Sequence, residues 1–298
     1  MRISGFSFVR NGFDYEVPFL ESIQSILPLC HEFVIAVGNS TDGTREAIEA
    51  IGSPKIRILD TVWDMSNNEA GKIFAEQSNL ALDHTDCDWA FHIQADEVIH
   101  ENDLPKIETA LLQYDRDKEV EGILLPFLHF AGGYNWIRTS RRQHRNEVRL
   151  FRRHLPVRSY KDSQGFRKYK NFESYKNGLE KGEKLKVVKV DAPIYHYTRV
   201  RPPEHFNKKN EMLGYYYQEE RVGDAPRTYD PMTGFDRLEE FKGSHPAIMQ
   251  KKVDAQDWEF TFDPQKAVWR KKDKYIQPIE DFLGVRLGEY RNYKLLKK

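Results

Sequence analysis

An apolar run that ends in two adjacent carboxylates is the part of this chain best suited to chemistry. Residues 88–99 read Asp-Trp-Ala-Phe-His-Ile-Gln-Ala-Asp-Glu-Val-Ile, so Asp96 and Glu97 follow a stretch with the character of a buried strand. Carboxylates at the end of such a strand can bind Mg²⁺ or Mn²⁺, which bridges to the phosphates of a substrate. The structural alternative is that both acids lie near the start of a helix, where negative charge is stabilising.

A second polar segment follows an earlier apolar run. The turn Asn39-Ser-Thr-Asp-Gly-Thr44 comes directly after a predicted strand at 33–37 and precedes a predicted helix at 44–51. Backbone N–H groups at such a helix start can face an anion. A helix capped by Thr41 or Asp42 explains the same residues without any ligand, so both readings stay open at this point.

The elements that position these residues alternate between strand and helix. Before residue 100 we predict strands at 3–9, 33–37 and 55–59 and a fourth strand that ends at Gln94-Ala-Asp-Glu97, with helices near 16–29, 44–51 and 68–83. This alternation predicts an α/β fold in which a mostly parallel sheet is flanked by helices, with ligands at the carboxyl ends of its strands. Longer strands at 121–130, 146–152 and 186–197 indicate a mixed extension of the same sheet. We expect an α/β half at 1–115, an acceptor-side half at 116–201 and a C-terminal helical extension at 202–298.

The composition limits the class of protein. The 298 residues are 39% hydrophobic, and 46 basic residues balance 46 acidic ones, so no overall charge favours nucleic acid. Two cysteines indicate neither a disulfide framework nor a metal site, which favours a cytoplasmic protein. No apolar stretch reaches the roughly 20 residues that span a bilayer. The aromatic and basic tail at 290–298 leaves peripheral contact with the inner face of a membrane as an alternative to simple packing.

Three phrases in this order resemble a known family. They are Ser40-Thr-Asp-Gly-Thr44, Gly71 with Gln77-Ser-Asn79, and Gln94-Ala-Asp-Glu97. Their order and spacing resemble the nucleotide-binding half of inverting, family-2-like glycosyltransferases with the GT-A (nucleotide-diphospho-sugar transferase) fold. The resemblance is close over residues 1–100 and looser over 120–200. It implies an enzyme of the hexosyltransferase type that uses a nucleotide-sugar donor and Mn²⁺ or Mg²⁺.

The resemblance also implies roles for individual residues. The nucleotide contacts would come from Arg10, Asn11, Asn39, Asp42 and Gln94. Asp96 takes the place of the last Asp in the family's Asp-x-Asp motif, and Glu97 follows it as a second metal ligand. Two positions depart from the family pattern: the acid expected after the second strand is Val37 or Gly38 here, and Gln94 replaces the first Asp of the motif.

The remaining chemistry needs a base and a cationic site for the diphosphate. Inversion requires a group that takes the proton of the acceptor hydroxyl. The segment after strand 146–152 resembles the family's loop that carries this base, which implies Asp162 for the role. Glu173 and Glu147 are the fallbacks, and an ordinary loop aspartate is the alternative for Asp162. By resemblance, His196 would complete the metal site, with Arg199 and Arg201 on the diphosphate; a packed core histidine is the alternative.

Basic residues are concentrated between 138 and 170. Most of them are expected on a solvated face, but a basic rim also suits an anionic acceptor. The sequence therefore predicts a metal-dependent, inverting glycosyltransferase. Its acceptor would be a glycan or a lipid-linked molecule, with an anionic acceptor as one option. Two rivals remain: a nucleotidyltransferase that makes nucleotide sugars, and a non-catalytic relative that binds nucleotide sugar or glycan.

Overall fold

The computed structural model describes residues 1–64, 71–161, 163, 165–202 and 235–298. Strands dominate the described chain. They are β1 (Ile3–Val9), β2 (Glu32–Val37), β3 (Ile56–Asp60), β4 (Trp89–His92), β5 (Glu97–Ile99), β6 (Gly122–Ala131), β7 (Gly133–Arg138), β8 (Asn146–Arg152), β9 (Val157–Tyr160), β10 (Gly165–Lys168), β11 (Leu185–Lys189), β12 (Ile194–Arg199), β13 (Leu238–Glu240) and β14 (Tyr293–Leu295). The helices are α1 (Phe19–Ile26), α2 (Thr44–Glu49), α3 (Lys72–Asp83), α4 (Leu104–Tyr114), α5 (Phe172–Lys176), α6 (Gln250–Asp254) and α7 (Lys271–Leu283).

Twelve of the strands form one sheet, and β9 with β10 forms a separate hairpin. The path through the sheet is β13-β7-β6-β8-β4-β1-β2-β3. Strands β3, β2, β1 and β4 are mutually parallel, whereas β8 runs antiparallel between β4 and β6. The parallel half ends at the same edge, so the segments that follow β1, β2 and β4 meet there.

Helices cover both faces of this parallel half because its strands are apolar on both sides. Phe33, Ile35 and Val37 of β2 belong to a core that also contains residues of α1, α2 and α4. The alternate residues Val34 and Ala36 belong to a second core with α3. This is the two-residue alternation of a strand buried on both faces. The predicted α/β class, with a large central sheet flanked by helices, is confirmed.

Two differences from the predicted elements matter for the site. The strand expected to end at Gln94-Ala-Asp-Glu97 already ends at His92, and Glu97 begins β5, which pairs antiparallel with β12. The described part of the C-terminal extension is not only helical, since β13 and β14 pair with β7 and β11. Within the described residues, no helix combines the length and hydropathy needed to cross a bilayer.

Candidate functional site

The turns after β1 and β2 are joined by side-chain hydrogen bonds. Asn11 Oδ1 accepts a hydrogen bond from the backbone N–H of Thr41 at 3.0 Å, and the N–H of Asn11 donates to Ser40 Oγ at 2.9 Å. The N–H of Gly12 donates to Thr44 Oγ1 at 2.7 Å. Asn11 adopts a left-handed backbone conformation with φ 51°, which is uncommon outside glycine. Asn11 lies at the predicted edge, where its side chain fixes the second turn.

Asp42 holds the same turn from its other side. Its carboxylate accepts hydrogen bonds from the N–H and hydroxyl of Thr44 at 3.1 and 2.6 Å, and from the N–H of Asp14 at 2.9 Å. Burial alone would raise the pKa of Asp42, but these hydrogen bonds outweigh it and lower the pKa below its ordinary value. Asp42 is therefore an anion that shapes the turn, while Asn39 beside it is exposed to solvent.

The position where the resembling family carries an acid is closed by a tryptophan. A Cβ added to Gly38 would lie 2.6 Å from Trp63 Nε1 and 2.9 Å from Arg10 Cβ. The Arg10 guanidinium carbon stands 5.9 Å from the centre of the Trp63 ring. No side chain fits at Gly38 while Trp63 and Arg10 occupy this space. The absence of an acid at Gly38 therefore has a steric reason. The indole of Trp63 and the guanidinium of Arg10 flank this turn, where the resembling family has a carboxylate.

Glu97 belongs to a buried ion pair. Its side chain is 0% exposed and that of Arg149 on β8 is 1% exposed. Arg149 Nη2 donates to Glu97 Oε1 at 2.6 Å and Nε donates to Oε2 at 3.0 Å, while the N–H of Gln94 also donates to Oε2 at 3.1 Å. Both oxygens are engaged by Arg149. The structure therefore gives Glu97 a positioning role at the start of β5, and not the metal contact expected from the sequence.

Gln94 connects this turn to the loop between β9 and β10. Its Nε2 donates to the carbonyl of Ser163 at 2.9 Å, and its own carbonyl accepts from Ser22 Oγ at 2.8 Å. Lys161 and Ser163 both have left-handed backbone conformations, with φ 59° and 65°. Such conformations in non-glycine residues cost energy and cluster at functional sites. Asp162, the predicted base, lies outside the described residues.

Asp96 and His196 approach each other at the edge of the sheet. Asp96 Oδ1 is 3.6 Å from His196 Nε2, and both side chains are about six-sevenths buried, with 15% and 13% exposed. His196 Nδ1 is 2.8 Å from Nδ1 of His129 on β6, and His129 Nε2 is 2.7 Å from the carbonyl of His144. The four groups form a chain that runs from a carboxylate through two imidazoles to a backbone oxygen.

The hydrogen bonds in this chain determine where the protons are. The carbonyl of His144 only accepts, so His129 carries its proton on Nε2 and accepts at Nδ1. Burial lowers the pKa of His129 well below its ordinary value, so His129 is neutral. His196 must then donate from Nδ1, which leaves its Nε2 on the side of Asp96.

This arrangement fits a divalent cation with few protein ligands. A carboxylate oxygen and an imidazole lone pair lie 3.6 Å apart, a separation that one cation can bridge. In the described part of the chain, no group of three or more metal-binding side chains is present. Mg²⁺ commonly uses one or two protein ligands and completes its shell with water and substrate phosphates. The donor set of Asp96 and His196 matches that pattern.

Two arginines lie at the end of β12 near this pair: Arg199 is its last residue, and Arg201 comes two residues later. Arg201 is 2% exposed, and its Nη2 donates to the carbonyl of Thr198 at 2.9 Å. Burial lowers the pKa of Arg201 to about 10, and Arg199 contributes to the lowering, whereas Asp96 and Glu16 oppose it. Arg201 therefore remains a cation at neutral pH, in the field of Asp96. Arg199 and Arg201 supply positive charge where the resemblance expects the diphosphate.

The fallback bases have different surroundings. Glu173 on α5 is 73% exposed and pairs with Lys176 at 3.5 Å, so the structure does not bring it to the strand ends. Glu147 on β8 is buried, and a Cβ on Gly165 would lie 3.0 Å from its Oε2. Glu147 is thus buried beside the start of β10, whereas Glu173 faces solvent.

Sequence reasoning missed His129, Arg149 and Trp63. His129 and His196 lie on separate predicted strands of one sheet. Two histidines placed in this way could have indicated that their side chains meet. Arg149 was grouped with the surface bases, although its place within an apolar strand indicated burial with a partner. Nothing in the sequence around Trp63 distinguished it from an ordinary core residue.

No protein-family model matches this chain, and no curated protein matches it. Solved structures are similar at low identity. TarS 1–349 from S. aureus in complex with UDP-GlcNAc is 13% identical over 72% of this chain and 66% of its own, with a TM-score of 0.41. The structure of TarS 1–349 alone is 12% identical over 72% and 65%, with a TM-score of 0.37. Glucosyl-3-phosphoglycerate synthase from Mycobacterium tuberculosis, in complex with Mg²⁺ and UDP, is 15% identical over 71% and 76%, with a TM-score of 0.39. This chain thus spans slightly less than two thirds of the length of the TarS fragment in both matches.

Proposed function

We propose that this chain is a metal-assisted glycosyltransferase that transfers a sugar from a nucleoside-diphosphate donor with inversion. The acceptor would be a glycan or a lipid-linked saccharide. The observation that carries the proposal is the pair Asp96 Oδ1 and His196 Nε2, held 3.6 Å apart at the carboxyl edge of the parallel strands. The turns after β1 and β2 reach the same edge, where a nucleotide would lie.

Different residues of the chain would contact the two ends of the donor. Arg10 and the turn at 38–44 border the nucleoside end, and Arg199 and Arg201 supply cationic charge at the diphosphate end. Asp96 and His196 would hold a divalent cation, which when bound neutralises charge that develops on the leaving diphosphate. His129 keeps the His196 proton on Nδ1, and Glu97 with Arg149 fixes the start of β5 directly after Asp96.

The transfer also needs a base on the acceptor side. As the acceptor oxygen bonds to the anomeric carbon, the bond from that carbon to the diphosphate oxygen breaks, and the acceptor proton passes to a carboxylate. Asp162 remains our candidate for this carboxylate. Its neighbour Ser163 supports the choice, because the Ser163 carbonyl is bonded to Gln94, two residues before Asp96. Glu147, buried near the same hairpin, is the alternative.

A panel of nucleotide sugars tests the proposal. We expect one of them to raise the thermal unfolding temperature with Mn²⁺ present and to be hydrolysed slowly without acceptor. Asp96→Asn should abolish hydrolysis and weaken Mn²⁺ binding in the presence of the nucleoside diphosphate. Asp191→Asn is the matched control, since Asp191 is exposed in the loop before β12. Full hydrolysis by the Asp96→Asn protein, or no binding of any nucleotide sugar by the wild type, contradicts the proposal.

A further inference from the structure

A cleft of about 360 Å³ lies between the β7–β8 connection, the β9–β10 hairpin and the C-terminal segment. Its walls include His144, Glu147, Lys161, Gly165 and Arg286. The cleft borders the candidate site, because the ring of His144 packs edge-on against that of His129 with 4.6 Å between their centres. His129 in turn is bonded to His196. A molecule in this cleft would therefore lie beside the metal-binding pair.

The cations of the cleft fall into two groups. Arg141 is neutralised by Asp273 at 2.8 Å and Glu280 at 3.1 Å. Arg145 forms a two-pronged pair with Glu289 at 3.1 and 3.2 Å. These arginines tie the C-terminal segment to the β7–β8 connection, and their charge is already balanced.

The second group lacks such balance. Among the described residues, Arg142, Lys161 and Arg286 form no ion pair with a carboxylate, although all three line the cleft. Glu147 is the one acid on the described wall that Arg145 does not engage. Because Arg141 is paired with two carboxylates and Arg145 with one, these five cations together face four acids once Glu147 is included, which leaves a net charge of one positive.

Arg286 is held in place without being neutralised. Its Nη2 donates to the carbonyl of Ser140 at 2.9 Å, and its Nη1 donates to the carbonyl of Gln143. Backbone carbonyls orient a guanidinium but carry no net charge. Burial lowers the pKa of Arg286 and the positive charge of Arg145 lowers it further, whereas Glu289 and Glu280 oppose the lowering. The two carbonyls thus pre-orient a partly desolvated guanidinium at the wall of the cleft.

We propose that this cleft binds a phosphate group of the acceptor, held by Arg142, Lys161 and Arg286. The proposal rests on the glycosyltransferase function and specifies its substrate class as a phosphorylated saccharide or a lipid-linked saccharide diphosphate. A planar guanidinium with free N–H groups and an ammonium are the side chains that recognise phosphate. The volume suits a small molecule of that size, since ligand clefts start at roughly 300 Å³.

Direct binding by calorimetry tests the site without any donor. The probes are glucose 6-phosphate against glucose, and farnesyl diphosphate against farnesol, both at fixed ionic strength. We expect the wild type to bind at least one phosphorylated probe and neither neutral partner. Binding of glucose 6-phosphate alone identifies a soluble phosphorylated acceptor, and binding of farnesyl diphosphate alone identifies a lipid-linked one. Equal binding of a probe and its neutral partner overturns the proposal, as does binding of none.

Substitutions locate the binding. Arg142→Gln and Arg286→Gln should each lower the affinity for the phosphorylated probe by about 10-fold to 100-fold, the usual effect of losing one charge-assisted hydrogen bond. Arg270→Gln removes an exposed arginine away from the cleft and should change nothing. Arg142 is exposed, so its variant keeps the test valid if Arg286→Gln unfolds. Unchanged affinity in the Arg142→Gln protein overturns the assignment. Absence of nucleotide-sugar hydrolysis would instead contradict only the proposed function, because phosphate binding is measured without donor.

Discussion

Replacing Glu97 by Gln should destabilise the protein far more than replacing an exposed glutamate in an ion pair of the same type. Glu97 and Arg149 are 0% and 1% exposed and share two hydrogen bonds of 2.6 and 3.0 Å. The amide of Gln presents an NH₂ group to a guanidinium that can only donate, so at least one bond is lost. Arg149 also keeps its charge without its main partner. Removing one member of a buried pair typically costs about 3–5 kcal/mol, and we expect that loss here.

The control lies on α2, where Arg45 Nη1 is 2.9 Å from Glu49 Oε2 and the side chains are 39% and 67% exposed. Glu49→Gln should cost about 0.5 kcal/mol or less, because exposed pairs of this spacing contribute little. The free energy of unfolding in urea, followed by circular dichroism, gives both values. The double variant Glu97→Gln, Arg149→Met should recover part of the loss, since it removes the stranded charge. A cost below about 1 kcal/mol for Glu97→Gln would refute the reasoning.

Three further predictions follow from other residues. His129→Phe removes the group that fixes the proton of His196, so Mn²⁺ affinity measured by electron paramagnetic resonance should fall by about 10-fold to 100-fold; unchanged affinity would remove His129 from this role. His92 is fully buried among Phe6, Phe8 and Phe166, and neither ring nitrogen has a hydrogen-bond partner. Burial, followed by the charge of Arg149, holds the pKa of His92 well below 6.5, so below that pH the unfolded chain binds a proton that the folded chain does not. The free energy of unfolding of the wild type should therefore decrease as the pH falls from 7.5 to 5. In urea titrations, this decrease should be about 2 kcal/mol smaller for His92→Phe than for the wild type. Equal decreases in the two proteins would contradict this role of His92. Asp162→Asn should lower turnover by about 10²-fold to 10⁴-fold with nucleotide-sugar affinity nearly unchanged, and a fall below tenfold would shift the role to Glu147.

Local sequence patterns predicted the parallel half of the sheet well. The strand expected at 3–9 is Ile3–Val9, and the helix expected from residue 44 begins at Thr44. These elements could be predicted because their apolar periodicity and turn residues are local signals. The same signals placed Asp96 just after β4, at the edge of the sheet where the turn that follows β2 also lies.

Partners far apart in the sequence could not be predicted in the same way. Glu97 is paired with a residue 52 positions later, and the balance of Arg141 depends on acids more than 130 positions away. The sequence predicted most bases between 138 and 170 on a solvated face, but not which of them pair with acids elsewhere in the chain. Only the packing of the C-terminal segment distinguishes Arg142 from Arg141. For the same reason, Arg286 was not among the residues considered for the acceptor.

The pair of Glu97 and Arg149 also has a consequence for how β8 finds its place in the sheet. A strand with one apolar face loses that face when its pairing slips by one residue, but β8 is buried on both faces, with Leu150 in one core and Val148 and Phe151 in the other. A slipped β8 would still bury apolar side chains. It would, however, turn Arg149 to the face opposite Glu97 and leave two unpaired charges inside the protein. We therefore expect the ion pair to make a misregistered β8 too unstable to persist during folding, a discrimination that hydrophobic patterning cannot provide for this strand.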